Sequence, residues 1–250
     1  MEPTKAAATV GSTGAARRPQ AAGQPRAAHR SGAARSANPK RQILLIKTAI
    51  WIIGLTPPIW LTAGLFRRTL GINPVETIIL VEGRWTLVFL IATMAVTPIR
   101  RLTKWNRVVQ LRRLLGLFAF FHACVHFLSY FGIDQLFQLQ YILEDVLERR
   151  YITAGFSALV LMIPLAVTST KGWIRRLGKR WQKLHRLSYV AASLGVLHFY
   201  WKVKADTFWP LVAAVTLAGL FAVRYAYRKR GPKRTARARE AAPPKRTAPA

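Results

Sequence analysis

Thiol chemistry is nearly absent from this chain. Cys124 is its only cysteine, which excludes an internal disulfide and any thiolate zinc or iron–sulfur site built within one chain. Histidine is almost as scarce, at five residues, yet it is left as the main residue able to hold a metal. Acidic residues number nine against 39 lysines and arginines, a net charge of +30. That balance first suggests a nucleic-acid surface. The basic residues, however, sit in the tails and between apolar blocks rather than along one soluble face, and no nucleic-acid partner is expected.

What is abundant is apolar. Hydrophobic residues make up 52% of the chain, against roughly 45–50% in soluble domains. They gather in blocks of about 18–24 residues, the length that crosses a bilayer. The pattern predicts an all-α, six-span transmembrane bundle, with spans at 43–66, 84–99, 114–131, 151–170, 184–201 and 208–225. Pro57-Pro58 should bend or break the first span, and Pro98 should stop the second. Asn73-Pro74 reads as a turn within the connection 67–82. The connections 100–113 and 171–183 are strongly basic, and so are both tails. Six spans put all four on one side, which predicts cytoplasmic termini. Segments 1–42 and 229–250 are expected to be disordered cytoplasmic tails, because their composition cannot bury a core. They flank a membrane domain at 43–228. The connection 132–150 holds Asp134, Glu144, Asp145 and Glu148 and reads either as a docking surface or as a solvated amphipathic helix.

Apart from His29 in the N-terminal tail, the histidines fall in the third and fifth spans, which run in the same direction. His126 lies about 18 Å and His198 about 21 Å from the inner edge of its span, at the helical rise. Intramembrane histidines often serve only to hydrogen-bond between helices. Two at one level on separate spans weigh towards function, and a haem standing between the helices would take one axial imidazole from each. His122 is one turn below His126 on the same face, so the two cannot occupy opposite sides of one iron; it reads as a supporting donor or an alternative ligand. His185, at the inner edge, is open to three readings: ligand of a second haem, contact to a lipid headgroup, or part of a flavin or quinone site. Arg112 and Arg113 lie near its level and suit haem propionates, although basic residues are expected there on topology alone.

Several runs carry a family likeness: AVTPIR at 95–100, RRLLGL at 112–117, HFLSY at 126–130, LGKRWQKLH at 177–185 and HFYWKVK at 198–204. Together they resemble the MsrQ family, the haem-binding membrane subunits of the bacterial periplasmic methionine sulfoxide reductase system. That family lies within the wider ferric-reductase-like transmembrane group. The resemblance covers about 43–228. It implies b-type haem, an FMN cofactor, a bacterial inner-membrane location, and electrons from the quinone pool or a cytoplasmic flavin reductase. It also implies a periplasmic molybdopterin partner, MsrP, which reduces methionine sulfoxide in oxidised proteins; substrate chemistry then belongs to that partner and this chain is its electron-transfer subunit. His126, His185 and His198 fall on the family's histidine positions, whereas His122 does not. Where oxidase relatives carry a second ligand on the third span, this chain has Arg112. The rival readings are a ferric-reductase-like cytochrome serving another acceptor, and a non-redox transporter or scaffold. No Gly-rich βαβ pattern follows the sixth span, so a redox protein of this kind is expected to borrow its electrons.

Overall fold

Apolar runs of bilayer length have one economical way to satisfy their backbone, the α-helix, and the computed structural model consists of helices joined by short turns over its described residues, 39–203 and 206–229. The expectations for most of the two tails, including His29, lie outside those residues. Helix α1 spans Pro39–Phe66. It continues through Pro57 and Pro58 without the expected break. Threonines flank the proline pair: the Thr56 hydroxyl donates to the Ile52 carbonyl and the Thr62 hydroxyl to the Pro58 carbonyl, each at 2.7 Å.

Helix α2 spans Pro74–Thr103 and overturns two expectations. Asn73-Pro74 is not a turn within a loop but the start of the helix. The Asn73 side chain caps the first turn by accepting from the Glu76 amide at 3.2 Å, and Pro74 occupies the first helical position, where a missing N–H costs nothing. Pro98 lies inside the helix, which stops only where Lys104 turns left-handed at φ 59°. The extension carries Glu82 out of the expected connection and into a helix interior.

A 3-10 turn at Asn106–Leu111 leads into α3, Arg112–Leu128, which ends in a π-turn at Ser129–Asp134. The acidic connection forms a short helix, α4, Leu139–Glu148. There the Asp145 carboxylate accepts from the Tyr130 hydroxyl at 2.5 Å and pairs with Arg149 at 2.8 Å. Helix α5 is Arg150–Val167. The stretch read as one basic lead-in to the fifth span is instead broken twice, into α6 (Lys171–Leu177), α7 (Lys179–Leu184) and α8 (Leu187–Lys202). The first break is at Gly178, with φ 50° and ψ −121°, a conformation that favours glycine. His185 sits in the second break rather than on the apolar helix. Helix α9 is Phe208–Lys229.

Among the described residues, five helical segments are long and apolar enough to cross a membrane: Lys40–Phe66, Pro74–Thr103, Asn106–Asp134, Arg150–Val167 and Phe208–Arg228. With 16 residues, α8 covers about 24 Å and falls short of that length. The main packing pairs are α2 with α3 and α5 with α8. Ala119 and Ala123 of α3 and Ala191 and Ala192 of α8 are buried in one cluster with Leu87, Phe89, Leu90 and Met94 of α2. Small residues at these contacts let helix backbones approach, as packing in lipid requires. Large apolar side chains such as Leu44, Ile52, Ile59 and Val215 point outward.

Candidate functional site

Four helices converge on two imidazoles. His126 of α3 and His198 of α8 have ring centroids 6.0 Å apart, with planes at 81°. Each ring is fixed from behind by a neighbouring helix. His126 Nδ1 meets the Ile79 carbonyl of α2 at 2.8 Å, and His198 Nδ1 meets the Tyr151 carbonyl of α5 at 2.6 Å. A carbonyl only accepts, so each Nδ1 carries the proton and each Nε2 is left with a free lone pair, the tautomer a metal requires.

The close approach depends on two glycines. A Cβ at Gly83 would lie 3.0 Å from the His126 ring, and one at Gly155 would lie 2.6 Å from His198 Nδ1. Each glycine is one helical turn beyond the accepting carbonyl, so the Nδ1 side of each imidazole approaches bare backbone. The two arrangements match in sequence: 47 residues separate carbonyl from histidine in both. The halves also share AVT at 95–97 and 166–168, IRRL at 99–102 and 174–177, and His-Phe at 126–127 and 198–199. This internal repeat is a signal that reading the chain span by span overlooks, and it marks Gly83 and Gly155 as site residues.

The pair suits a metal held mostly by something other than protein. Among the described residues, no group of three or more His, Cys, Asp or Glu side chains is placed to hold an ion. A metal bonded to both Nε2 atoms at about 2.0 Å would separate the ring centroids by about 6 Å, close to the observed spacing. A porphyrin iron needs only these two axial nitrogens from the chain.

The other sequence candidates lie elsewhere. His122 is fully buried and not at the pair: its Nδ1 contacts Glu82 Oε2 at 2.5 Å, and the rings of Phe89, Phe121, Trp85 and Phe118 surround it. Glu82 was missed because the Asn73-Pro74 cap passed for a turn. His185 packs edge-on against Trp181 at 3.9 Å, and its Nδ1 is buried without a hydrogen-bond partner. Arg112 is half-buried and close enough to His185 to interact with it electrostatically, while Arg113 is exposed. Both arginines are at the inner level, about 20 Å along α3 from His126. A further residue joins them there: Arg224 of α9 donates to the Tyr189 hydroxyl of α8 and, at 3.0 Å, to the Met94 carbonyl of α2. Its Nε has no partner, and Arg112 and Arg101 are within electrostatic reach.

Comparison with known proteins supplies the family. Residues 82–196 match the family model for the ferric reductase like transmembrane component. The protein-methionine-sulfoxide reductase heme-binding subunit MsrQ of Herminiimonas arsenicoxydans is 48% identical over 194 residues, 76% of this chain and 89% of that protein. The MsrQ proteins of Rhodospirillum rubrum, 49% identical over 71% of this chain and 86% of that protein, and of Ralstonia nicotianae, 40% identical over 82% and 96%, are similar along nearly their whole lengths. With two matched glycine–imidazole hairpins and this degree of identity, the chain belongs to the MsrQ family of ferric-reductase-like membrane proteins.

Proposed function

We propose that this chain is the haem-binding membrane subunit of a bacterial methionine sulfoxide reductase system, relaying electrons across the inner membrane to a periplasmic molybdopterin partner, MsrP. The observation that carries the reading is the His126/His198 pair, two imidazoles 6.0 Å apart with both Nδ1 atoms tied to backbone. His126 and His198 would hold a b-type haem, each through its free Nε2. When bound, that group supplies a one-electron carrier; reduction of methionine sulfoxide belongs to the partner.

The chain's own residues do the positioning. The Ile79 and Tyr151 carbonyls hold each ring in one tautomer and orientation, and the flanking helices keep water from the pair. Helix α8 crosses the membrane as a sixth span despite its length, sheltered by α5 and held in register by His198. The domain boundaries are 43–228 for the membrane unit, with cytoplasmic tails at 1–42 and 229–250. At the inner end, His185, Arg112 and Arg113 form a second cofactor-binding region, for a second haem, whose propionates the arginines would pair, or for a flavin or quinone. The unpartnered Nδ1 of His185 and Nε of Arg224 support an anionic, hydrogen-bonding occupant there. Electrons enter at this end from a quinol or a cytoplasmic flavin reductase.

The test is haem per protein, with a reduced-minus-oxidised spectrum, for the wild type, His126→Ala and His198→Ala in membranes. The wild type should show a reducible Soret band, and each variant should lose the outer haem. A wild type without such a band, or either variant retaining full haem content, refutes the assignment.

A further inference from the structure

One ionisable pair in the membrane domain is used by nothing described so far. Glu82 and His122 are both completely buried, in contact at 2.5 Å, and each keeps one polar atom without a hydrogen-bond partner, Glu82 Oε1 and His122 Nε2. Their walls are aromatic: Phe89 stacks on the imidazole at 5.3 Å and 10°, and Phe121 meets it edge-on at 5.3 Å. Burying such a pair in hydrocarbon surroundings is costly, and packing alone does not ask for it. The internal repeat makes that point within this molecule. Its second half builds the same hairpin around His198 with Ala154 at the position of Glu82 and Leu194 at that of His122. The pair is therefore an addition to the frame that holds the imidazoles. It sits one turn from His126 on α3 and one residue from Gly83 on α2, the glycine that backs the His126 ring.

We infer that Glu82 and His122 form a proton-binding site that takes up one proton when one electron arrives at the His126/His198 centre. This rests on the haem reading given above. One electron from a quinol or reduced flavin lowers the net charge of the iron centre by one, and one proton drawn from water and bound by the carboxylate–imidazole pair restores it. The proton returns to water when the electron passes on. The pair is suited to this because the two side chains share one contact and each keeps a second polar atom, Glu82 Oε1 and His122 Nε2, without a partner. No other titratable group faces it from the rings that enclose it. On α3 the nearest are Cys124 and His126, with His198 of α8 beyond. Helix α1 has none between Lys47 and Arg67; α5 offers Arg150, which is exposed, and Tyr151, whose carbonyl holds His198; α8 ends in Lys202, within electrostatic reach of His126 and His198; the turn after α3 offers Tyr130, bonded to Asp145. Arg84 of α2 is exposed, and Arg224 of α9 meets α2 at Met94, about 18 Å along the helix.

The experiment is a spectroscopic redox titration of the haem in purified, haem-loaded protein from pH 5 to 9. The variants are Glu82→Gln and the double variant Glu82→Ala/His122→Leu, which copies the second half of the repeat. The wild-type midpoint should fall as pH rises, approaching a tenfold change in the reduction equilibrium per pH unit, or 59 mV for one electron. Both variants should keep their haem and lose most of that slope. A flat wild-type profile, or a slope that survives in both variants, overturns the inference. Absence of haem from the wild type would instead refute the haem reading beneath it, so the two failures are told apart. Should Glu82→Gln fail to insert, the wild-type and double-variant profiles decide the question.

Discussion

Two hydrogen atoms define much of the outer site. At Gly155 a methyl group would enter within 2.6 Å of His198 Nδ1, and at Gly83 within 3.0 Å of His126. Neither ring can step aside without losing its carbonyl. Overpacking of this kind costs about 1–3 kcal/mol, which is roughly a 5- to 150-fold weakening of haem retention at 1.4 kcal/mol per decade. Gly155→Ala should fall towards the upper end and Gly83→Ala towards the lower. Haem dissociation rates to an apo-acceptor would measure both, and equal retention by Gly155→Ala and wild type would contradict this account. The closeness of the two histidines was legible from helical rise alone, since each was expected at a similar height along its apolar run. Their backing was not, because a glycine inside an apolar run looks like any other small residue until its neighbour across the interface is known. Glu82 was hidden for another reason: a proline preceded by asparagine is both a turn signal and a helix start, and only the Asn73 side-chain contact to the Glu76 amide separates the two.

Among the elements, α8 departs furthest from expectation. Its apolar length was readable, but the two breaks before it were not: Gly178 has no partner in the sequence pattern to mark its positive φ, and the basic residues that flank His185 are compatible with a continuous helix. If α8 crosses the membrane, residues before it and after it lie on opposite sides. Reporter fusions in the 132–150 connection and at Tyr227 should then report opposite compartments, with Tyr227 cytoplasmic. Finding both on the same side would leave five crossings and remove His198 from a through-membrane helix. The prolines teach the same lesson in the other direction. Pro57, Pro58 and Pro98 all lie inside helices, because in a span the lost hydrogen bond has few alternatives and neighbouring groups re-satisfy the backbone.

For the molecule as a whole, the apolar cluster among the described residues joins α2, α3, α5, α8 and α9. Deleting residues 1–38 and 232–250 should therefore leave haem per protein unchanged within error, measured on inserted protein by its Soret absorbance. Loss of the band in a correctly inserted truncation would assign the tails a part in cofactor retention. The fold class and the apolar blocks could be read from composition, since bilayer-length runs leave little choice. The pairing of α2 with α3 and of α5 with α8 could not, because apolar faces in lipid carry no polar side to orient them.

The internal repeat also sets a timetable. His126 and His198 are 72 residues apart, so at a synthesis rate of about 5–20 residues per second the first hairpin leaves the ribosome roughly 4–14 s before the second imidazole exists. During that interval one complete glycine-backed imidazole is presented to the membrane with a vacant opposite side. If the cofactor is held by both imidazoles, the site can close only once the second hairpin has been made, and the cofactor would then act as the clasp that certifies that both hairpins have been inserted.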